Sequence, residues 1–156
     1  MHPNGRLVER FYDAFSRRDA ETMATCYHRE AVFSDPAFPH LEGDRIGGMW
    51  AMLCERGEDL QLDYDSVVAD DTTGSARWRA RYTFGRTGRA VDNRIQASFE
   101  FRDGAIVRHR DDFDFYRWSR MALGAPGWLL GWTPLLRAKV QGQAGAQLDR
   151  YLKRRG

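Results

Sequence analysis

The sequence predicts an α+β fold in which helices come first along the chain and an antiparallel sheet follows. Apolar residues recur at helical spacing within residues 7–15 and again within 46–53. From residue 60 onward the period changes to two, in four successive segments separated by short turns. Three helices with one early strand, followed by a four-stranded meander, form an α+β pattern, and a twisted sheet of this length can curl around the helices.

Size and composition exclude several classes of protein. A chain of 156 residues with 42% apolar and 29% charged residues suits one soluble globular domain over 1–156. The net charge of +2 carries no overall polyanion-binding signature, so no nucleic-acid partner is expected. The N-terminus has no apolar signal core, and the two cysteines lack a secreted-scaffold spacing. We therefore predict reduced cysteines and a cytoplasmic location.

The first half of the chain is predicted to contain three helices and one strand. Asn4 is placed to cap the first helix, and Asp19 is a good cap for a short second helix over 20–28. A strand follows over 31–34 and ends at an Asp-Pro pair. A third helix is predicted over 43–57, with a glycine at its end.

In the second half of the chain, successive side chains are predicted to alternate between the two faces of the meander. Trp78, Tyr82, Ile95 and Phe99 share the face that is expected to be inner, whereas the arginines of "RWRAR" face water or a partner subunit. The stretch "RDG" is a strong hairpin signal, and a long final strand is predicted after it over 105–118.

The segment after residue 120 departs from the meander and is predicted to be a helical extension over about 121–156. "GAPG" has the composition of a turn, and Pro134 suits the first turn of a helix. Residues 128–132 form an apolar knot with three open interpretations: ordinary packing, a lid over a cavity, or a dimer or membrane contact. From Arg137 to the end there are six basic residues and one acidic residue, which fits a membrane contact or a solvated helix end.

Three stretches carry a resemblance to a known family. Together with the order of elements, "FYDAFSRRDAETMATCYHREAVFSDP", "GDRIGGMWAML" and "FEFRDGAIVRHRDDFD" resemble the nuclear transport factor 2-like superfamily over about residues 7–115. Ketosteroid isomerases, limonene epoxide hydrolases and SnoaL-like polyketide cyclases belong to it. The resemblance implies a cone, a cystatin-like α+β barrel, in which a curved mixed or antiparallel sheet wraps the N-terminal helices. It also implies an apolar cavity for a small-molecule ligand and a homodimer formed through the outer sheet face.

Asp35 is the first candidate for chemistry, because it directly precedes a proline at a predicted strand end. Ketosteroid isomerases place their catalytic base in this position, so the resemblance implies that Asp35 is a proton-shuttling carboxylate. A carboxylate in a dry cavity has a raised pKa, because desolvation disfavours its charged form, and it then exchanges protons near neutral pH. The structural alternative is that Asp35 begins a turn.

The final strand supplies two further candidates. If Phe113 faces inward, period two also places Val107, His109 and Asp111 inside. An imidazole beside a carboxylate is a workable acid/base pair, and cyclases of the family use His and Asp in the cavity. His109 and Asp111 are therefore the candidate acid and base, with Asp35 supporting or replacing one of them.

Each of these assignments has a structural alternative. His109 would instead be a hydrogen-bonded sheet residue, and Asp111 would form an ion pair with Arg79 or Arg81. The residues expected to line the pocket are mostly aromatic or apolar and lie on the inner faces: Phe11, Tyr12, Phe15, Trp50, Trp78, Tyr82, Ile95, Ala97, Phe99 and Phe113.

The chain departs from two catalytic patterns of the superfamily. The oxyanion-hole positions of the isomerases align with Phe11 and Ala97, which cannot donate a hydrogen bond. Tyr12 is adjacent, but it is rotated by about 100° around the helix, so its hydroxyl is expected to point elsewhere. The Asp-Arg-Asp pattern of the epoxide hydrolases needs an inward Arg and Asp two residues apart, whereas Arg110 and Asp112 are expected to face outward.

The function predicted from these residues is a cofactor-independent isomerase or cyclase. It would act on a hydrophobic, polyketide-like or steroid-like carbonyl compound by acid/base proton transfer, and the hydrolase pattern fits less well. No metal is predicted, because the four histidines lack a shared ligand spacing. The alternative is a non-catalytic module of the same fold that binds a small molecule or another protein.

Overall fold

The computed structural model of the protein describes residues 1–155, which form helices and strands in the predicted α+β order. The helices are α1 Pro3–Ser16, α2 Ala20–Thr25, α3 Asp44–Arg56, α4 Phe115–Leu123, α5 Ala125–Leu130 and α6 Pro134–Arg155. The strands are β1 Tyr27–Ser34, β2 Leu41–Glu42, β3 Gln61–Ala69, β4 Thr73–Phe84, β5 Arg89–Arg102 and β6 Ala105–Asp112.

The strands form one curved six-stranded sheet in the order β2-β1-β6-β5-β4-β3. The last four strands are the predicted antiparallel meander, and β1 joins it by pairing in parallel with β6. The sheet stays open, with β2 and β3 as its edges. The predicted α+β cone with a C-terminal helix is therefore confirmed, and the sheet is mixed.

Helix α1 lies against the concave face of this sheet. Phe11 and Tyr12 are fully buried and Phe15 is 2% exposed, and the three share the apolar face of the helix. The rings of Phe11 and Phe15 lie 5.6 and 5.0 Å from the ring of Trp50 on α3. The main core is therefore enclosed by α1, α3 and the inner face of the sheet.

The N-terminus of α1 differs from the prediction in its capping residue. The ring Nδ1 of His2 accepts the backbone N–H of Asn4 at 3.0 Å, so His2 is the cap. The side chain of Asn4 instead donates to the carbonyl oxygens of Asp70 and Asp71 at 3.0 and 3.2 Å. Asn4 therefore holds the start of α1 against the turn between β3 and β4.

The boundary between α2 and β1 also differs from the prediction. Asp19 caps α2 as predicted, since its Oδ1 accepts the N–H of Thr22 at 3.1 Å. The helix ends at Thr25, and β1 starts at Tyr27, four residues earlier than predicted. The added residues form a strand because they lie beside β6, where Tyr27 is opposite Ile106.

The predicted long final strand is wrong beyond Asp112. The carboxylate of Asp114 accepts the backbone N–H of Arg117 at 3.0 Å and caps α4. Phe115 and Trp118 then pack into a second apolar cluster below the sheet end. The alternating "DFDF" of the sequence resembles a strand, but here it marks the entry into a helix.

The C-terminal helices pack onto this framework. Helix α5 begins at Ala125 after its cap Gly124, so residues 124–127 are not the predicted turn, whereas Pro134 begins α6 as predicted. Helix α6 packs against α3, where a Cβ atom at Gly48 would lie 2.5 Å from Cδ2 of Leu152. A larger residue at position 48 would therefore require the end of the Leu152 side chain to move.

Two further expectations concern cysteines and membrane spans. Cys26 and Cys54 are both buried and free of disulfides, as predicted. None of the helices within residues 1–155 has the length and apolar character to cross a bilayer.

Candidate active site

The parallel pairing of β1 with β6 brings the three candidate residues into one part of the molecule. Phe33 on β1 is opposite His109 on β6, and Asp35 follows the end of β1. Asp111 lies two residues beyond His109 on the same face of β6, and both are buried. The carboxylate of Asp111 is close enough to Asp35 for its charge to raise the pKa of Asp35.

A chain of buried hydrogen bonds links His109 to four neighbours. Its Nε2 lies 2.9 Å from Oδ1 of Asp111, and its Nδ1 lies 2.7 Å from the hydroxyl of Tyr27. The indole Nε1 of Trp50 donates to the same hydroxyl at 2.9 Å. The indole Nε1 of Trp78 donates a longer bond of 3.4 Å to Oδ1 of Asp111.

One arrangement of protons satisfies every member of this chain. Asp111 is a carboxylate that only accepts, so Nε2 of His109 donates to it. Nδ1 is then the acceptor for the hydroxyl of Tyr27, which in turn accepts from Trp50. The donor and acceptor roles therefore assign a neutral imidazole protonated at Nε2. His109 is the hydrogen-bonded sheet residue of the structural alternative, and it also orients a buried carboxylate.

Aromatic rings close off the imidazole of His109 from solvent. The ring centroids of Phe99, Phe33 and Phe11 lie 4.5, 5.0 and 5.7 Å from its centroid. Its side chain is 0% exposed, and both ring nitrogens already have partners. Because both nitrogens have partners, His109 is positioned to hold Asp111 in place.

Asp35 begins a turn and also has the perturbed acidity expected of a proton shuttle. Its Oδ1 accepts the backbone N–H groups of Ala37 and Phe38 at 2.8 and 2.6 Å, which is the turn geometry of the structural alternative. Burial raises the pKa of Asp35 to about 7, and the charge of Asp111 adds to this effect. The two N–H bonds and the charge of Arg137 oppose it only in part.

Asp35 is only half-buried, in contrast to His109 and Asp111. Helix α6 passes beside it, since Nε2 of Gln141 donates to the carbonyl oxygen of Pro36 at 3.1 Å. Asp35 also lies near Tyr82 on β4. The pKa of Tyr82 is raised mainly by burial, and the charge of Asp35 adds to this rise. Asp35 therefore lies between the inner sheet face and α6.

Tyr12 carries a buried hydroxyl. Its ring stacks on Tyr64 at 5.2 Å, and within residues 1–155 its Oη has no hydrogen-bond partner. Burial first, and then the charge of Asp111, raises the pKa of Tyr12. Tyr12 lies on the buried face of α1 with Phe11, as its helical spacing predicts, and the direction of its hydroxyl relative to a bound molecule stays a prediction.

The side chains predicted to line the pocket fall into two groups. A buried group packs around His109 and Asp111: Phe11, Tyr12, Phe15, Trp50, Ile95, Ala97 and Phe99. Trp78, Tyr82 and Phe113 are partly exposed and lie toward Asp35 or the second apolar cluster. Two surface depressions of about 640 and 670 Å³ lie elsewhere, beside α2 and α3, and of the candidate site only Tyr27 borders one of them. The lining role of these residues stays a prediction.

A β-bulge changes which residues of β6 face inward. Arg108 is opposite Glu100, but Ile106 is opposite Phe101, so Val107 is an extra residue in β6. Ile106 is fully buried and Val107 is only half-buried. The predicted inward position of Val107 is therefore wrong, whereas His109, which follows the bulge, faces inward as predicted.

The arginines near β6 are engaged elsewhere, which removes the ion-pair alternative for Asp111. Arg79 contacts Asp92 at 2.5 Å, and Arg81 contacts Asp63 at 3.2 Å. Arg110 and Asp112 form an exposed pair on the outer face at 3.1 Å, as expected from the alternation. Asp111 is thus held by His109 and Trp78, and the Asp-Arg-Asp pattern of a hydrolase is not formed by this pair.

Tyr27 is the member of the hydrogen-bond chain that sequence reasoning missed. It was assigned to the end of the second helix, although its hydroxyl is bonded to His109. Period two did not reveal it, because the pairing register of β1 shifts between Tyr27 and Val32 and the intervening Arg29 is exposed. Among residues 1–155, no group of three or more His, Cys, Asp or Glu side chains could hold a metal ion.

Solved structures with the same fold include enzymes and a ligand complex. An LEH-like epoxide hydrolase from M. tuberculosis is 22% identical with a TM-score of 0.65, covering 86% of this chain and 95% of that one. A protein from Jannaschia sp. CCS1 assigned as a SnoaL-like polyketide cyclase is 17% identical with a TM-score of 0.68, covering 80% and 93%. TerC, co-crystallised with polyporic acid, is 18% identical with a TM-score of 0.65, covering 77% and 98%. At these identities the likeness shows the fold.

The family is shown by a direct match of the sequence. No curated protein matches the chain. The model of the SnoaL-like domain, however, matches residues 8–109, which run from within α1 to His109 in β6. This protein therefore belongs to the SnoaL-like domain family of the nuclear transport factor 2-like superfamily.

Proposed function

We propose that this protein is a cofactor-independent isomerase or cyclase that moves a proton next to the carbonyl of an apolar, polyketide-like or steroid-like compound. The observation that carries the proposal is Asp35, a half-buried carboxylate whose pKa is raised to about 7 at the end of β1. A group with this pKa is present in both protonation states near neutral pH. It therefore accepts a proton from carbon and returns it within one catalytic cycle.

The reaction needs a donor for the oxygen that becomes negatively charged when the proton leaves. Phe11 and Ala97 cannot supply it. The hydroxyl of Tyr12 is buried, has no partner within residues 1–155 and lies near Asp111. We assign it as the hydrogen-bond donor to the enolate oxygen, where a preorganised donor in a dry site lowers the barrier.

Asp111 and His109 have separate roles in this proposal. Both hydrogen bonds to Asp111 fall on Oδ1, from His109 and Trp78, which leaves Oδ2 for a ligand or a shared proton. Burial is the main cause of the raised pKa of Asp35, and the negative charge of Asp111 adds to it. His109 acts as a positioning residue, because Tyr27 and Asp111 occupy its two nitrogens.

The shape of the site favours a flat apolar ligand. Trp78, Tyr82 and Phe113 are partly exposed aromatic side chains on the side of the sheet that faces Asp35. Aromatic side chains bind rings through stacked or edge-on contacts. A fold neighbour was co-crystallised with polyporic acid, and another is assigned as a polyketide cyclase, which agrees with this class of ligand.

The proposal is tested with a fused-ring ketone, β-tetralone, in deuterium oxide. Nuclear magnetic resonance measures the exchange of the protons next to its carbonyl, with and without the protein. We expect the wild type to accelerate exchange, Asp35→Asn to abolish the acceleration, and the exposed neighbour variant Asp112→Asn to keep it. The asparagine at position 35 retains an oxygen for the turn hydrogen bonds, so its fold should be preserved.

Two results would overturn the proposal. One is acceleration that is unchanged in Asp35→Asn. The other is binding of β-tetralone, seen as a change in tryptophan fluorescence, without any exchange in the wild type. The second result would support the non-catalytic binding module.

A further inference from the structure

The outer side of α5 carries an unusual concentration of exposed apolar side chains. Among the described residues, eight large apolar side chains are exposed, and five of them lie between residues 128 and 135. Their exposed fractions are 57% for Trp128, 71% for Leu129, 49% for Leu130, 71% for Trp132 and 79% for Leu135. We call these five residues the α5 apolar surface. A contiguous apolar surface of this kind marks an interaction site.

The backbone of α5 is docked so that these side chains must point outward. Gly127 is the buried residue of the helix, and a Cβ atom there would lie 1.9 Å from the carbonyl oxygen of Ser119. A Cβ atom at Gly131 would lie 2.0 Å from Oγ of Ser119. The hydroxyl of Tyr116 donates to the carbonyl oxygen of Trp128 at 3.0 Å. Glycines therefore face the protein and tryptophan and leucine face outward, the reverse of an ordinary surface helix.

The chain segment that carries this surface has only positive charges. Residues 115–148 contain no Asp or Glu but include Arg117, Arg120, Arg137 and Lys139. Within residues 1–155, none of these four forms a salt bridge, whereas the arginines on the outer sheet face pair with carboxylates. The charges of Arg117 and Arg137 also favour the ionised forms of Asp92 and Asp35. The segment is thus apolar at its centre and carries a net positive charge.

Arg120 shows how one of these cations is presented. Its guanidinium lies 4.6 Å from the ring centroid of Tyr116 and 4.7 Å from that of Trp128. Its Nε is buried and has no hydrogen-bond partner within the described residues. Two aromatic rings therefore hold a cation at the edge of the apolar surface, next to Trp128.

We propose that the α5 apolar surface docks onto a membrane that carries anionic lipids. Tryptophan favours the boundary between headgroups and acyl chains, leucine favours the acyl chains, and arginine and lysine attract lipid phosphates. Since no described helix can span a bilayer, the attachment is peripheral and reversible. A second copy of the chain fits less well, because its own surface would bring the same cations together.

The docking surface continues toward the candidate active site. Leu135 and Arg137 lie in the first turn of α6, and Gln141, one turn further, bonds to Pro36 next to Asp35. A docked protein would hold this side of α6 near the bilayer, in which apolar ketones dissolve. This consequence rests on the proposed function, whereas the docking does not depend on whether Asp35 is catalytic.

The docking is tested by co-sedimentation of the full chain with vesicles of phosphatidylglycerol or of phosphatidylcholine. We expect binding to the anionic vesicles that weakens at high salt and is much weaker on the zwitterionic ones. Truncation of one inserted leucine removes buried apolar area, so Leu129→Ala should weaken the partition coefficient by about tenfold, and Leu129→Ala/Trp132→Ala by about a hundredfold. The matched control is Val68→Ala, which removes an exposed side chain on β3 and should bind like the wild type.

Three outcomes would overturn the proposal: no binding to phosphatidylglycerol vesicles, unchanged binding by the double variant, or self-association through this surface. Light scattering without vesicles identifies the last outcome, since a dimer lost in Leu129→Ala/Trp132→Ala would place a second copy there. A dimer through the outer sheet face would survive these substitutions. Lys139→Gln should weaken binding only to the anionic vesicles, and the β-tetralone exchange without vesicles should be unchanged in all these variants.

Discussion

The two faces of strand β6 carry the same kind of side-chain pair in opposite surroundings. On the inner face, His109 and Asp111 are two residues apart, and their nitrogen and oxygen atoms are 2.9 Å apart with side chains 0% and 2% exposed. On the outer face, Arg110 and Asp112 have the same spacing and a distance of 3.1 Å, but their side chains are 66% and 52% exposed. Burial is the main difference between the two pairs.

Burial changes what each pair contributes. When the outer pair forms, each group loses contacts with water and gains a contact with the other group. The net contribution of this pair to the free energy of unfolding is therefore small, and salt reduces it further. In the inner pair, no water can replace a lost hydrogen-bond partner. His109 and Asp111 therefore depend for their hydrogen bonds on each other and on Tyr27 and Trp78. The same difference raises the pKa of Asp35 near the inner pair, whereas a carboxylate on the outer face has no such burial.

The largest effect is expected when the inner pair is broken. His109→Ala leaves the carboxylate of Asp111 buried without its main donor, so it should lower the free energy of unfolding by about 3–5 kcal/mol. Urea denaturation followed by tryptophan fluorescence measures this value. If Arg110→Ala, on the outer face, lowers the free energy of unfolding as much as His109→Ala does, burial does not distinguish the two pairs.

The pH dependence of stability should follow Asp35. Its pKa rises from an ordinary 3.8 to about 7 in the folded state, so between these values the folded state binds more protons than the unfolded state. The contribution of Asp35 to the free energy of unfolding therefore favours the folded state at low pH, and it is lost as the pH rises from about 3.8 to about 7. Melting temperatures measured across this range should fall less steeply with pH in Asp35→Asn than in the wild type, and parallel curves would contradict the assignment.

A smaller effect of opposite sign is expected at Tyr12. Tyr12→Phe removes a buried hydroxyl that has no partner within residues 1–155, so it should raise the free energy of unfolding by about 1 kcal/mol. The same variant should slow the exchange of β-tetralone, because the enolate oxygen loses its donor. A stability gain with full activity would show that this hydroxyl takes no part in the reaction.

The smallest effect is expected for the outer pair. Asp112→Asn removes an exposed carboxylate from Arg110, so the free energy of unfolding should change by less than about 1 kcal/mol, and less still at high salt. The urea titration used for His109→Ala measures both. A loss as large as that of the inner pair would show that exposure does not separate the two faces.

The alternation of β4, β5 and β6 was readable from the sequence because it is a local property. Period two placed Phe99, His109 and Asp111 inward and Arg110 and Asp112 outward, as observed. The Asp-Pro pair marked the end of β1 correctly, because proline interrupts a strand wherever it stands. These features required only neighbouring residues.

Other features required contacts between distant parts of the chain. The "DFDF" stretch alternates like a strand, but the second apolar cluster and the Asp114 cap make the residues after it a helix. Tyr27 extends β1 because β6 lies beside it, although Tyr27 and His109 are 82 residues apart. A local pattern contains no information on such a partner.

By itself, the sequence determined the order of the elements, the inner and outer faces of the meander and the carboxylate at the end of β1. The tertiary structure decided that Tyr27 completes the hydrogen bonds of His109. It also decided that Gly127 in α5 and Gly131 after it face Ser119, while two tryptophans and three leucines nearby in the chain are exposed. The reason is physical: periodicity orients a side chain relative to its own backbone, whereas its partners depend on which elements pack together.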